Sequence, residues 1–145
     1  MSRAIRRELF IPQPPPQVWR SLADSTALAG WMFPNDFEPR VGHRFTFRVP
    51  PNPQAGFEGM SVHCEVLECH PPRRLAFSWS AGELADTRVS FRLEAEGAGT
   101  RVFFEHAGFP DESPSGSQAF QGAKYGWAKM LGQLAKLATD QTTDG

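Results

Sequence analysis

Cysteine is nearly missing from this chain, and Cys64 and Cys69 are the whole supply. Both fall in one run with strand character. Five residues of extended chain hold their Cα atoms roughly 16 Å apart, far beyond disulfide reach. A reduced, cytoplasmic protein is the simplest reading. Long hydrophobic runs are absent too: Arg3, Arg6 and Arg7 look like the start of an export signal, but no apolar stretch follows and nothing could span a bilayer. Basic charge is not in excess, with 15 Lys and Arg against 16 Asp and Glu and a formal net charge of −1. Nucleic-acid binding needs a concentrated basic face, so it is excluded as the main activity. No nucleophile motif, phosphate loop or paired-histidine metalloprotease motif occurs.

Metal ligands are equally scarce. His63 and Cys69 share a strand face, yet six residues of strand place them about 20 Å apart. Cys69 and His70 point opposite ways, and His43 has no evident partner. Neither a metal nor a cofactor is expected. Tyrosine is also rare: one Tyr stands beside twelve Phe and four Trp. Such a set supplies much apolar area and few polar handles. It fits a well-filled core and an apolar cavity equally.

What is present is a regular order of elements. Ile5, Arg7, Leu9 and Ile11 alternate with Arg6, Glu8 and Phe10, a first strand that Pro12 and Pro14–Pro16 end. Proline is tolerated in a first helical turn, so Gln17–Ala23 predicts a short helix burying Val18, Trp19 and Leu22. Asp24 or Ser25 caps a second one with Leu28, Trp31 and Met32 inside. The stretch from Phe33 to Phe37 is a loop carrying two aromatics. Strand then follows strand: Phe45 and Phe47; Met60–Cys69; Leu75, Phe77 and Trp79; Val89, Phe91 and Leu93; Val102, Phe104 and His106 after a turn at Gly97-Ala98-Gly99.

The last segment, Ser115 to about Ala138, is the longest. At 100° per residue Phe120, Ala123, Trp127, Met130, Leu131, Leu134 and Ala138 form one stripe, with Lys129, Gln133 and Lys136 opposite and Tyr125 on the polar side. Ser115 and Gln118 fit a capping box. The stripe is bulky in its second half and thinned in its first by Ala119, Gly122, Ala123 and Gly126. An interior glycine costs about 1 kcal/mol against alanine. These glycines answer either the close approach of another backbone or room for something that is not protein. An antiparallel sheet with one polar face must cover the other, and only this helix is long enough to do so. The expectation is an α+β fold in one domain, 1–145: a curved antiparallel sheet of about six strands gripping a long C-terminal helix, with two short helices after the first strand. A gap is expected beside the thin half of that helix.

Several groups of residues then form a familiar ensemble: Ile11-Pro12 with Val18-Trp19, Leu28 to Trp31, Val41-Gly42, and Val66-Leu67-Glu68 with Pro71-Pro72 through Leu75. Trp79, Gly99-Thr100 with Val102, His106, and Gly126-Trp127 with Leu134 complete it. Together they resemble the START-like (SRPBCC) superfamily, the helix-grip fold of polyketide cyclases. More narrowly, they resemble the bacterial proteins similar to the activator of heat-shock-protein-90 ATPase. Cys64 stands where that pattern commonly has glycine. The resemblance implies an apolar ligand cavity under the long helix, with cyclisation or hydrolysis in some members. It also implies a chaperone as partner for the namesake domain.

The ligand-binding candidates are Trp31, Phe33, Phe37, Phe47, Trp79, Phe91, Phe104, His106, Ala123, Gly126 and Met130, while Trp127 is assigned to the core. His106 is the titratable residue that register points inward, and it reads either as an acid–base group or ligand anchor or as a histidine bonded to a backbone group. Glu68 has unresolved parity, because a bulge in its strand would turn it. Glu65, Glu94, Glu96 and Glu105 belong to a solvated outer face. Three functions follow: binding a small hydrophobic or aromatic ligand, acting on a heat-shock chaperone, or cofactor-independent catalysis through His106. Sheet edges of this architecture also allow a homodimer.

Overall fold

The chain forms, in order, β1 (Ser2–Ile11), α1 (Pro15–Ala23), α2 (Ser25–Trp31), β2 (Arg44–Val49), a 3-10 turn (Pro53–Ala55), β3 (Met60–His70), β4 (Arg74–Ala81), β5 (Leu84–Glu96), β6 (Gly99–Pro110) and α3 (Pro114–Asp140). The structure, a computed structural model, describes residues 2–51, 53–55, 59–81, 84–110 and 114–140. The side chains of 2–3, 55, 81, 84–86, 110, 114–122 and 140 are outside that description. The expected capping box of Ser115 and Gln118, and the side chains of Ala119, Phe120 and Gly122, therefore lie outside the described residues.

One six-stranded sheet runs β1-β6-β5-β4-β3-β2, antiparallel at every pairing. It is the curved sheet of the helix-grip arrangement, with the two short helices between β1 and β2. Alternation puts Phe45, Phe47, Val62, Val66, Leu75, Phe77, Trp79, Val89, Phe91, Leu93, Val102 and Phe104 on the covered face, all buried. Each such ring or branched chain contributes roughly 2 kcal/mol by leaving water. The covering layer is α3 with α1 and α2: Trp127, Leu131, Leu134 and Ala138 are buried, as are Val18, Leu22, Leu28 and Trp31. α1 begins at Pro15, two residues before the expected start, because a proline needs no amide partner in a first turn. Asp24 caps α2, its carboxylate accepting from the Ala27 amide at 2.9 Å.

Two short polar links tie the layers together. The Thr100 hydroxyl donates to the Gln13 carbonyl at 2.6 Å, and the Gln13 amide donates to the Thr139 carbonyl near the end of α3 at 3.2 Å. Gly99 makes the first link possible. A Cβ there would stand 2.4 Å from Phe10 Cζ and 2.7 Å from the Ile11 carbonyl oxygen, so the end of β1 lies against the start of β6 where no side chain fits.

The loop between α2 and β2 is pinned rather than loose. The Asn35 side chain accepts from Ser25 Oγ at 2.8 Å and from the Phe37 amide at 3.0 Å, and donates to the Ser25 and Phe33 carbonyls. The loop also occupies the free edge of β2. The Thr46 amide donates to Asp36 Oδ1 at 2.7 Å and the Arg48 amide to the Pro34 carbonyl at 2.9 Å. An edge whose donors are taken is a poor template for a second strand. Asn35→Ala is expected to lower stability by about 2 kcal/mol and to open this edge. Analytical ultracentrifugation would then show stronger concentration-dependent association than in the parent chain; a variant that associates no more than its parent would dismiss the edge-blocking role.

Candidate functional site

His106 lies on the covered face of β6 and is fully buried. Both ring nitrogens are engaged. The Trp127 indole N–H donates to His106 Nδ1 at 2.9 Å, and His106 Nε2 meets Thr87 Oγ1 at 2.9 Å. An indole nitrogen can only donate, so Nδ1 accepts and carries no proton. The neutral ring therefore holds its hydrogen on Nε2 and donates it to Thr87, whose own hydroxyl donates to the Trp79 carbonyl. The chain of donors Trp127, His106, Thr87 ends on backbone, and each member has its partner. Burial holds the imidazole down to a pKa of about 3, because a charged ring would lose its hydration. Protonation at Nδ1 would also set two N–H groups against each other. The ring's partners are thus two side chains, Thr87 and Trp127; the backbone group that one of the two sequence readings gave it enters only one step later, at the Trp79 carbonyl.

Around this chain the aromatic rings touch one another. Trp127 meets Phe104 at 4.5 Å and Trp79 at 5.4 Å between ring centres, Phe91 meets Phe104 at 5.2 Å and Trp31 at 6.1 Å, and Phe47 meets Trp79 at 5.7 Å. Phe37 packs edge-on to Phe45 at 5.0 Å. Among the ligand-binding candidates, Trp31, Phe37, Phe47, Phe91, Phe104 and His106 belong to this sealed set, at 3% exposure or less. Trp79 retains 9%. Phe33, Ala123, Gly126 and Met130 are half-buried.

The last three share one flank of α3, beside the buried Trp127. Among the described residues, a Cβ added to Gly126 would meet nothing within 4 Å. Of the two reasons for a thin helix, close approach of a backbone is not seen at this position among the described residues, which leave the flank of Gly126 open. Gly132 is the same, but it is exposed and on the outer side.

The sequence pattern described as Activator of Hsp90 ATPase homolog 1-like protein matches residues 12–139. The chain belongs to this family. Protein MLL2253 from Mesorhizobium loti is similar in structure, with 30% identity and a TM-score of 0.77 over 93% of this chain and 96% of that one. CalU16 from Micromonospora echinospora aligns at 25% identity and a TM-score of 0.74, covering 99% of this chain and 80% of that one. The protein of gene BPP1335 from Bordetella parapertussis aligns at 28% identity and a TM-score of 0.74, over 94% and 75%. No curated protein matches the chain.

Within this activator-like family pattern several residues have visible duties. Gly99-Thr100 locks β1 to β6, and Trp79, His106 and Trp127 form the buried chain just described. Cys64, where the resemblance drawn from the sequence expects a glycine, is buried beside Phe45 in register with no irregularity in that pairing. Burial, and then Asp36, push its thiol pKa up, so it behaves as a small apolar filler. The irregularity falls between Val66 and Glu68. It turns Glu68 to the outer face, where its carboxylate meets Arg88 at 2.7 Å and Arg74 at 3.1 Å, and leaves Leu67 exposed. Among the described residues no cluster of His, Cys, Asp and Glu could hold a metal, and no helix is long and apolar enough to cross a membrane.

Thr87 and Asn35 are the residues that reading by pattern passes over. Thr87 carries a legible signal, because it shares parity with Val89 and Phe91 and so sets a hydroxyl on an apolar face. Asn35 carries none beyond its place in a loop.

Proposed function

We propose that the chain binds a small hydrophobic or aromatic molecule in the space bordered by Ala123, Gly126 and Met130 on α3. The observation that carries the reading is the surround of Gly126, where no described residue comes within 4 Å of an added Cβ: a helix-weakening glycine that no described backbone approaches leaves room for a ligand. Trp79, against Trp127 and not fully sealed, would supply the aromatic wall. The sealed rings Trp31, Phe47, Phe91 and Phe104 would support that wall from behind, with ligand contact only through side-chain rearrangement. Apolar sites of this kind need few polar groups, and the described helix flank offers few.

Catalysis through His106 is disfavoured, since a base must be free to exchange a proton and both its nitrogens are committed. A chaperone as partner has the family relationship behind it and, among the described residues, no single apolar surface. The large exposed apolar residues Phe10, Val41, Met60, Leu67 and Tyr125 belong to four different segments. A homodimer gains no support from the occupied edge of β2.

The test is titration with a neutral apolar fluorophore, N-phenyl-1-naphthylamine. Saturable binding is expected in the parent chain and at least tenfold weaker binding in Gly126→Leu, whose branch would occupy the empty flank. The same variant is expected to be no less stable than the parent, because its side chain enters open space and helix propensity improves by about 1 kcal/mol. Binding unchanged in a folded Gly126→Leu would reject the site. Stimulation of a heat-shock chaperone's ATPase by the parent chain would favour the second reading instead.

A further inference from the structure

The aromatic wall of the proposed site carries one polar group, the indole N–H of Trp79. A buried indole N–H usually finds an acceptor, because a donor taken from water without one costs free energy. Trp31 Nε1 donates to the Ser21 carbonyl at 2.8 Å and Trp127 Nε1 to His106 at 2.9 Å. Trp79 and Trp19, each 9% exposed, have no acceptor for theirs among the described residues. Of these two, Trp79 stands beside the helix flank in question. Its ring centre lies 5.4 Å from that of Trp127 and 5.5 Å from that of His106, whereas Trp19 sits on α1.

The Trp79 N–H is not sealed in. Among the described residues, Ser21 Oγ is the one buried side-chain nitrogen or oxygen that has neither a partner nor contact with solvent. The unbonded Trp79 nitrogen therefore borders space that a small molecule can reach, although nine-tenths of its residue is buried. The polar groups next to it are already committed. Both His106 nitrogens are bonded, and the Thr87 hydroxyl meets His106 on one side and donates to the Trp79 carbonyl on the other. The flank formed by Ala123, Gly126 and Met130 carries no charge. What this wall offers a ligand is thus a single donor. A ligand hydroxyl would find no unused acceptor among these side chains for its hydrogen, and a carboxylate would leave water without meeting a cation on this flank.

We infer that the ligand is an aromatic molecule bearing a neutral carbonyl oxygen, an aryl ketone, which accepts a hydrogen bond from Trp79 Nε1 while its rings lie along Gly126 and Met130. This ligand class rests on the site proposed beside α3 and narrows what that site takes. Trp79 then has two duties there. Its ring face supplies apolar contact to any aromatic ligand, and its N–H selects the one that presents an acceptor.

The test compares 2-acetylnaphthalene with 2-isopropylnaphthalene, in which a methyl group of similar size replaces the carbonyl oxygen. In nitrogen–proton NMR spectra of the parent chain, the Trp79 indole N–H peak should move downfield with the ketone and not with the hydrocarbon. The Trp31 indole peak, whose donor is already bonded, should stay in place with both. The ketone-to-hydrocarbon affinity ratio should fall about fivefold in Trp79→Phe, a comparison that cancels the loss of ring volume common to both ligands. If Trp79→Phe folds poorly, the indole peak of the parent chain decides alone, with its assignment taken from through-bond spectra. Binding of the hydrocarbon alone, an indole peak that responds equally to both ligands, or an unchanged ratio in folded Trp79→Phe would overturn the inference and leave the site beside α3 standing. No saturable binding of either naphthalene or of N-phenyl-1-naphthylamine would remove that site, and the ligand class with it.

Discussion

Trp127→Ala is expected to remove on the order of 5 kcal/mol of stability, comparable to the whole margin of many domains. The ring is 1% exposed and lies against Phe104, Trp79 and His106, three of the rings that join sheet to helix. Its loss leaves a cavity and takes the only donor from His106 Nδ1. Trp127→Phe separates the two contributions, keeping much of the volume while deleting the N–H. A buried acceptor left alone costs about 1–3 kcal/mol, so Trp127→Phe should lie well between parent and alanine variant in urea unfolding. If phenylalanine were as stable as tryptophan, the indole-to-imidazole bond would carry no weight in holding α3 to the sheet.

The second large effect concerns acid. The His106 imidazole titrates near 3 in the folded chain and near 6.5 when unfolded, so between those values the unfolded state binds a proton that the folded state refuses. The stability contributed by keeping the ring neutral is therefore complete above about pH 6.5. It is lost progressively as pH falls toward 3, by on the order of 5 kcal/mol in all. Urea unfolding at several values from pH 7 down to pH 4 should show this slope in the parent chain. His106→Leu should be less stable at pH 7, since Trp127 Nε1 and Thr87 lose their partner, but its stability should fall by up to about 1.4 kcal/mol less per pH unit. Parallel slopes in the two proteins would mean that His106 charges without cost and is open to water, and would return it to consideration as a proton-transfer group.

How far the candidate site could be read from residue order depends on which interactions build it. The inward register of Phe91, Phe104 and His106 follows from alternation alone, and so does the outward set Glu65, Glu94 and Glu105. Glu68 could not be assigned that way, because one irregularity between Val66 and Glu68 reverses parity and nothing in the local composition marks it. Aromatic identity was readable, but ring contact was not. Trp31, Phe47 and Phe91 look the same in the sequence whether they line a cavity or close one, and their mutual packing decides that they are sealed.

Periodicity by itself determined the α+β architecture, the two short helices and the amphipathic α3, because burying one face of each element needs only a local pattern of apolar spacing. It also determined that α3 is slim toward Gly126. Tertiary structure alone decided what surrounds that glycine, which nitrogen of His106 holds the proton, and that the Trp79 indole N–H meets no acceptor among the described residues. Each of these depends on where residues distant in the chain come to rest, and hydrogen bonds and repulsions act over ångströms of space whatever the separation in sequence.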